Sequence, residues 1–391
     1  VKRYLYRVYN GAVHVDTWGA ESATAILSQP SFSMEVDGSI GPLELQLAAG
    51  FDDVIVGLQL GFEVKTYCID DDAPEGVLIH AGWIERIHRT VGAGAGDRVD
   101  VSVTPYASQL ARDFFMDKDD ATAPAKSWTT TDVTTILTDI LNRATQHMGT
   151  FSRVHAESDT MQTSGKTVSI EVGSEKYLDA IRRVKKIGPG NFYWFVDPSG
   201  VFRYRNFDSG ERHVLTLGRE IESVSKTDDI SDMVNAVYFW NMSDTDLAAI
   251  ALERPAEPSA SQLAYGRRAE IVTDSRVDTQ GAATSVADAY LTTHEQPTIT
   301  LETQVLDGTA NPNGYDIERL KPGDTVEIRN APALTGQIYS LTRVDYAPDS
   351  ARITLGAGPY RRPRTLGMSI GEIEEFMTTA TNGSIPSLTT A

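Results

Sequence analysis

The stretch NFYWFVDPSGVFRYRNF, residues 191–207, holds seven aromatics and two arginines in seventeen positions. Aromatics interleaved with Arg are what a base-stacking surface uses. The same stretch also reads as a β-hairpin, with Asp-Pro-Ser-Gly as its turn. If 197–200 form a four-residue turn, Val196 pairs with Val201, and the register sets Phe195 against Phe202 and Tyr193 against Tyr204. The other face then carries Trp194 against Arg203 and Phe192 against Arg205. This register predicts an all-aromatic side that belongs to a core, with Phe195 and Phe202 as buried neighbours, and a second side of two cross-strand cation–π pairs.

The rest of the chain favours the hairpin. It has 391 residues, enough for two or three domains, and 41% are hydrophobic, as in an ordinary folded protein. The net charge of −19 repels an extended polyanion, so nucleic-acid binding would need a local basic patch working against the global field. No run approaches eighteen apolar residues and the start, VKRYLYRVYNG, lacks the apolar core of a signal peptide, so no membrane insertion by the chain itself is expected. The single cysteine, Cys68, excludes an intrachain disulfide framework and a multi-cysteine zinc site. Arg (25) outnumbers Lys (10) and Asp (32) outnumbers Glu (22), a bias that fits either a GC-rich genome or adaptation to high salt.

Residues 1–115 read as strands: YLYRVYN, GPLELQLAAG, DVIVGLQLGFEVKTYCI, GVLIHAGWIERIHRTV and RVDVSVTPYA, broken by Gly, Asp and Pro. Short strands at regular spacing suggest a barrel or sandwich. Gly92, Gly94 and Gly96 in VGAGAGDRVDV lack the Lys-Ser/Thr of a phosphate loop and suit a hairpin connection. DKDDATAPAKSWTTT reads as a polar connector. Two helices follow. In TDVTTILTDILNRATQHMG, Val133, Ile136, Leu137, Ile140, Leu141, Ala144 and Met148 recur at helical spacing, with Thr131 or Asp132 as N-cap. In SEKYLDAIRRVKKIGPG, Tyr177, Leu178, Ile181, Val184 and Ile187 share a face, Lys185 and Lys186 complement the dipole, and Gly188-Pro189 stops the helix. Arg182, Arg183, Lys185 and Lys186 are therefore read as a solvated helix face. Strands return from about 215: LTLGREIESVSKT, MVNAVYFW, RAEIVT, TITLETQVL, DTVEIRN, GQIYSLTRVDYAP and ARITLG, with a helical insert near QGAATSVADAYLTTHEQP. Residues 242–266 read as a long loop or lid, and the end as a short helix, MSIGEIEEFM, with a Thr/Ser-rich tail.

The residues offer little for catalysis. His14, His80, His88, His147, His155, His213 and His294 form no i, i+4 pair, and THEQPT has Thr298 where a zinc protease's second His belongs. There is no Gly-x-Ser-x-Gly elbow, and Cys68 in an apolar strand reads as a small core residue. Asp70–Asp72, Asp119–Asp120 and Asp228–Asp229 sit in polar connectors without the calcium-loop pattern. Asn241 and Asn382 begin formal glycosylation sequons at a frequency chance supplies. No catalytic, cofactor-binding or metal-binding residue is nominated, and no cofactor.

The succession KTVSIEVGSEKYLDAIRRVKKIGPGNFYWFVDPSGVFRYR then HVLTLGREIESVSKTDDISDMVNAVYFW resembles the baseplate hub, or tail hub, proteins of tailed viruses. GVLIHAGWIERI resembles their first-barrel strand pair, and LKPGDTVEIRN with GQIYSLTRVDYAPDSARITLG the closing strands of the second barrel. The likeness spans roughly 30–356 and is one of pattern and order. It implies a mainly β chain with an α+β middle: a first tube-like β-barrel domain at 1–115, an α+β domain at 116–225, a second tube-like β-barrel domain at 226–360 and a C-terminal extension at 361–391. It further implies a non-enzymatic homotrimer in the virion tail tip, assembled in the host cytoplasm, that adapts the sixfold tail tube to a threefold tip and forms part of the DNA ejection channel. Its partners would be the tail tube and distal tail proteins, the tape-measure protein, and a spike, fibre or receptor-binding protein reached through the C-terminal extension, with DNA only in transit. Two other classes are set beside it: a receptor-binding adhesin, and a carbohydrate-active or peptidoglycan-degrading tail enzyme.

Overall fold

The structure, a computed structural model, describes residues 2–19, 26–48, 55, 57–69, 75–91, 97–115, 125–173, 175–243, 246–273, 280–308, 313–332, 334 and 337–357. The chain opens with β1 (Arg3–Asn10), β2 (Val13–Gly19), β3 (Phe32–Glu35), β4 (Gly38–Ser39), β5 (Leu43–Ala48), β6 (Glu63–Ile69), β7 (Val77–Thr90) and β8 (Arg98–Pro105). It continues through β9 (Ala125–Asp132), α1 (Val133–Met148), β10 (His155–Met161), β11 (Thr167–Gly173), α2 (Tyr177–Ile187), β12 (Phe192–Val196), β13 (Val201–Asn206), β14 (Arg212–Thr216) and β15 (Ile221–Asp229). Next come β16 (Ala236–Ser243), β17 (Asp246–Arg254), α3 (Ala260–Tyr265), β18 (Ala269–Thr273) and α4 (Gln280–His294). The last strands are β19 (Thr298–Leu306), β20 (Thr325–Arg329), β21 (Ile338–Ala347) and β22 (Ser350–Ala357). The fold is mainly β, with two curled half-barrel sheets. Two compact units form: Val1–Ser225 with Leu301–Gly358, and a second built on Lys226–Thr300.

In the first unit one sheet has the order β2-β1-β6-β7-β8-β5, and the other β14-β20-β21-β22-β19-β15, with β3 added to β21. Period-2 patterning fixes which face each strand buries. In β5, Leu43, Leu45 and Leu47 are buried while Glu44 and Ala48 are exposed; Val99, Val101 and Val103 do the same in β8. β7 and β8 pair antiparallel up to Thr90↔Arg98, as a hairpin requires, with Gly92, Gly94 and Gly96 outside the described residues.

The segment 32–40 links the second of these sheets to a third, of order β10-β13-β12-β4. Its β3 pairs with the far-downstream β21, and β4 lies parallel to β12. Between them Val36 N–H donates to Thr342 O and Asp37 N–H to Trp194 O. Asp37 sits at φ 53, and its carboxylate accepts from Trp194 N–H and pairs with Lys185 at 2.6 Å.

The middle of this unit is the helix pair on the aromatic hairpin. α1 starts where Asp132 accepts Thr134 N–H as N-cap and stops at Gly149, at φ 59. Val133, Ile136, Leu137, Ile140, Leu141 and Ala144, with Tyr177, Ile181 and Val184 of α2, pack on Phe192, Trp194, Val196, Phe202 and Tyr204. The hairpin is confirmed, but its register differs by one residue from the expected one. Val196 pairs with Phe202, Phe195 with Arg203, Trp194 with Tyr204, Tyr193 with Arg205 and Phe192 with Asn206.

The turn causes the shift. Asp197 N–H donates to Val201 O at 3.0 Å, so the loop is the three residues 198–200, closed by Gly200 at φ +89. Asp197 Oδ1 accepts from Ser199 and Val201 N–H, which holds Asp197 as a strand end instead of a loop residue. Phe195 and Phe202 are accordingly both buried but on opposite faces. Trp194 stacks on Phe202 under the helices, ring centroids 5.3 Å apart, and Tyr193 packs on Phe207 on the other side. The two expected cation–π pairs are replaced: Arg203 binds Asp197 at 2.7 and 3.0 Å, and Arg205 donates to Asp159 O.

Three further expectations are corrected, and two strands are added. In the run 53–69 the described strand starts only at Glu63, because Leu58–Gly61 turn back on Ile55 and Ile84 through backbone hydrogen bonds. β2 and β3 lay unread between loop-like residues, β3 being only four residues long. The end of the supposed connector, 125–132, is β9, whose Trp128 and Thr131 pair with β11. Residues 246–254 and 260–265 are β17 and α3; β17 is an Ala-rich edge strand that alternation alone does not reveal. The helix and tail expected after Ala357 lie outside the described residues.

The second unit has a three-stranded sheet, β17-β16-β18, covered on one face by α4. Val237, Phe239 and Ile250 meet Ala283, Ala287 and Leu291. Asn235 anchors the entry to β16: Nδ2 donates to Gly266 O and Oδ1 accepts Arg268 N–H.

Two outcomes test this packing. A Cβ at Gly200 would lie 2.0 Å from Arg153 O at a φ that disfavours side chains, so Gly200→Ala should cost at least about 2 kcal/mol in urea unfolding. His80, fully buried with one ring nitrogen 3.0 Å from Gly41 O, has its pKa pushed down by burial to about 4. Its unfolded value is near 6.5, so the unfolded chain alone takes up the proton between those limits, and stability falls as pH drops from about 6.5 to 4, by at most about 3 kcal/mol. His80→Gln should flatten the pH dependence of the denaturation midpoint in that window; an unchanged slope would refute the assignment.

Candidate functional site

The polar groups that carry the most structural consequence in the first unit are buried ties between distant parts of the chain. Lys2, at the foot of β1, reaches Asp307 and Glu318, with Asp316 at 4.0 Å. The three central side chains are almost sealed from water, with 6% of Lys2, none of Asp307 and 9% of Glu318 exposed. Burial works against the Lys2 charge, but its hydrogen bonds to Asp307 and Glu318 outweigh it and its pKa is raised. Burial likewise pushes the Glu318 carboxyl up. Cys68 Sγ donates to the same Glu318 at 3.4 Å, which makes the thiol a buried hydrogen-bond donor.

A second node joins β6 to the short 3-10 helix Tyr106–Ala111: Tyr106 donates to Glu63, with Lys65 at 3.6 Å and Arg153 at 3.8 Å from the same carboxylate. The third lies in 211–324. Asp324 Oδ2 is 3.0 Å from His213 Nε2, and Tyr315 Oη is 2.8 Å from Nδ1. Burial raises the Tyr315 pKa. The imidazole is held between this phenol and the Asp324 carboxylate. The His213 side chain has no exposed surface, and Asp324 also accepts Glu211 and Lys321 N–H. The pair has the chemistry of two triad members, yet it points inward as a strut.

The histidines singled out from sequence are not brought together. His14 lies near Thr17, His147 near Asp113, His155 near Glu157, and His294 stacks on Tyr290 at the end of α4. Among the described residues no group of three or more His, Cys, Asp or Glu could hold a metal ion. Asp228 and Asp229 are exposed on β15, whereas Asp70–Asp72 and Asp119–Asp120 lie outside the described residues. The basic run on α2 is neutralised locally: Arg182 pairs with Asp179, Arg183 with Glu175, and Lys185 with Asp37. Sequence reasoning missed all three polar nodes, because each joins residues between 43 and 316 positions apart.

The Lys2 tie is testable. Lys2→Met leaves Asp307 and Glu318 buried without their counter-ion and should lose about 3–5 kcal/mol in urea unfolding at pH 7. A loss under about 1 kcal/mol would mean that water already reaches those carboxylates.

Residues 209–358, which contain the His213–Asp324 strut, match the family described as Prophage endopeptidase tail. No curated protein matches the sequence. Among solved structures, the 43 kDa tail protein of prophage MuSo2 from Shewanella oneidensis superposes with a TM-score of 0.63 at 12% identity, over 91% of this chain and 98% of that one. The tail protein from Neisseria meningitidis MC58 gives 0.57 at 13% identity, over 90% and 96% of the two chains. Prophage tail protein gp18 from Listeria monocytogenes EGD-e gives 0.55 at 11%, over 96% and 99%. The expected resemblance to viral tail proteins therefore holds at the level of architecture, and this chain has the fold of phage and prophage tail proteins.

Proposed function

We propose that the protein is the structural hub of a viral tail tip, a homotrimer that adapts the sixfold tail tube to a threefold tip and lines part of the DNA ejection channel. The observation that carries this reading is the presence of two curled β-sheets on one chain. Three chains then present six such sheets, which is the arithmetic needed to meet a sixfold tube with a threefold body. In this assignment the first tube-like domain is 1–115, the α+β domain 116–225 and the second tube-like domain 226–360. The second sheet also takes β14 and part of β15 from the preceding segment, and the 226–300 unit is an insertion between β15 and β19. The partners are the tail tube and distal tail proteins, the tape-measure protein, and, through 361–391, a spike, fibre or receptor-binding protein. DNA is a passenger: an acidic or neutral bore avoids the counterion-release affinity that Lys and Arg contacts to phosphate would create.

The family description favours a second reading, peptide hydrolysis by the 209–358 segment. Among the described residues of that segment, His213 with Asp324 has catalytic chemistry, but it is sealed by its partners and offers no open position to a substrate. We assign the chain a non-hydrolytic role on that ground.

Mass by light scattering with negative-stain imaging should give three chains in a threefold ring about as wide as a tail tube. A monomer that cleaves peptidoglycan stem peptides, with cleavage lost in His213→Ala at unchanged melting temperature, would overturn the assignment. An electron-microscopy map with a continuous Lys/Arg-lined bore would overturn the account of the charge.

A further inference from the structure

A groove of about 610 Å³ opens between β9, α1 and β10, distinct from the buried ties and from both curled sheets. Its wall is made of short hydroxyl and amide side chains, Thr135, Thr138, Asn142, Ser158 and Thr163, with the carboxylates of Asp132, Asp139 and Glu157 among them. Ala156 and Met161 give it an apolar strip, and Trp128 closes one end.

The wall is held in place. Asp139 Oδ2 accepts from Lys126 Nζ at 2.6 Å, Trp128 Nε1 at 3.1 Å and Arg143 Nε at 3.4 Å, so its carboxylate is fixed by three donors. Lys126 also lies over the Trp128 ring, 5.3 Å from its centroid. Asp132 is fixed as the α1 N-cap and by Ser164 Oγ, and Thr138 by its bond to Thr134 O.

The chemistry selects the ligand. Three carboxylates face the groove, and its one ammonium is already engaged by Asp139, so phosphate, sulfate and sialic acid meet net negative charge. Closely spaced acceptors and hydroxyls beside a small apolar strip suit a ligand rich in hydroxyl donors with a C–H face. We propose that this groove binds a neutral glycan, two or three sugar rings long, which would give the tail protein a saccharide contact separate from any spike or fibre. The competing ligand for an acidic groove is a basic peptide, and the observations favour the glycan because six of the thirteen lining residues carry hydroxyl or amide groups, against three carboxylates.

The test uses the full chain. An array of neutral hexose and N-acetylhexosamine oligosaccharides, with sialylated and sulfated counterparts, identifies the best neutral probe, which is then titrated against tryptophan fluorescence in parallel with a tetralysine peptide. Binding of a neutral oligosaccharide, at least ten-fold weaker in Asn142→Lys and in Thr135→Lys and weaker for anionic counterparts, is the expected result. Both substitutions lie at exposed helix positions, and an unchanged melting temperature shows that the fold is kept. No neutral glycan bound at millimolar concentration, equal affinity in both variants, or binding of tetralysine alone would each overturn the proposal. None of these outcomes bears on the number of chains in the ring, so the hub assignment stands or falls separately.

Discussion

Nine residues, 32–40, set the arrangement of the first unit. By placing β3 on β21 and β4 on β12, they fasten the early part of the chain to a strand three hundred positions later and to the aromatic hairpin. Main-chain hydrogen bonds do most of this, and they are directional, so they specify register as well as contact. Asp37 is the pivot. Its left-handed backbone turns the segment from one sheet toward the other, and its carboxylate takes up both a hairpin N–H and the Lys185 ammonium. Asp tolerates that conformation better than most residues with a Cβ, so the choice of residue follows from the geometry.

Around that segment the structure divides labour between apolar and polar groups. Alternating leucines and valines decide which side of each sheet is inner, but an apolar face does not discriminate among partners. Discrimination comes from the buried charged and polar ties, Lys2 with Asp307 and Glu318, Glu63 with Tyr106, and His213 with Asp324 and Tyr315. Each is costly unless every member is present, and so each penalises wrong pairings more than it rewards the right one.

What could be read from sequence follows the range of the interaction. α1 and α2 were legible as helices, because the 3.6 period, a cap at Thr131 or Asp132 for α1, and the glycines that end them are local signals. The long strands β1, β7, β8, β21 and β22 were legible for the same reason. The hairpin register was not: Gly200 can serve either as the last residue of a four-residue turn or as the bulge of a three-residue one, and only the hydrogen bonds of Asp197 decide. β3 and β17 take their strand identity from a partner's edge. The candidate groove was equally hidden, since Trp128, Asp139 and Met161 are brought together by packing of three elements and share no spacing pattern.

The tie from Lys2 to Asp307 and Glu318 has a bearing on how the chain comes into being. A ribosome delivers Lys2 more than three hundred residues before Glu318, so the ammonium beside β1 and the edge of β3 stay uncovered while the residues between are made. Closure of that contact therefore reports that translation has run past β19 and the turn after it. A prematurely terminated product cannot make it, and would be left with the exposed edge and uncompensated charge that quality-control proteases and chaperones act upon.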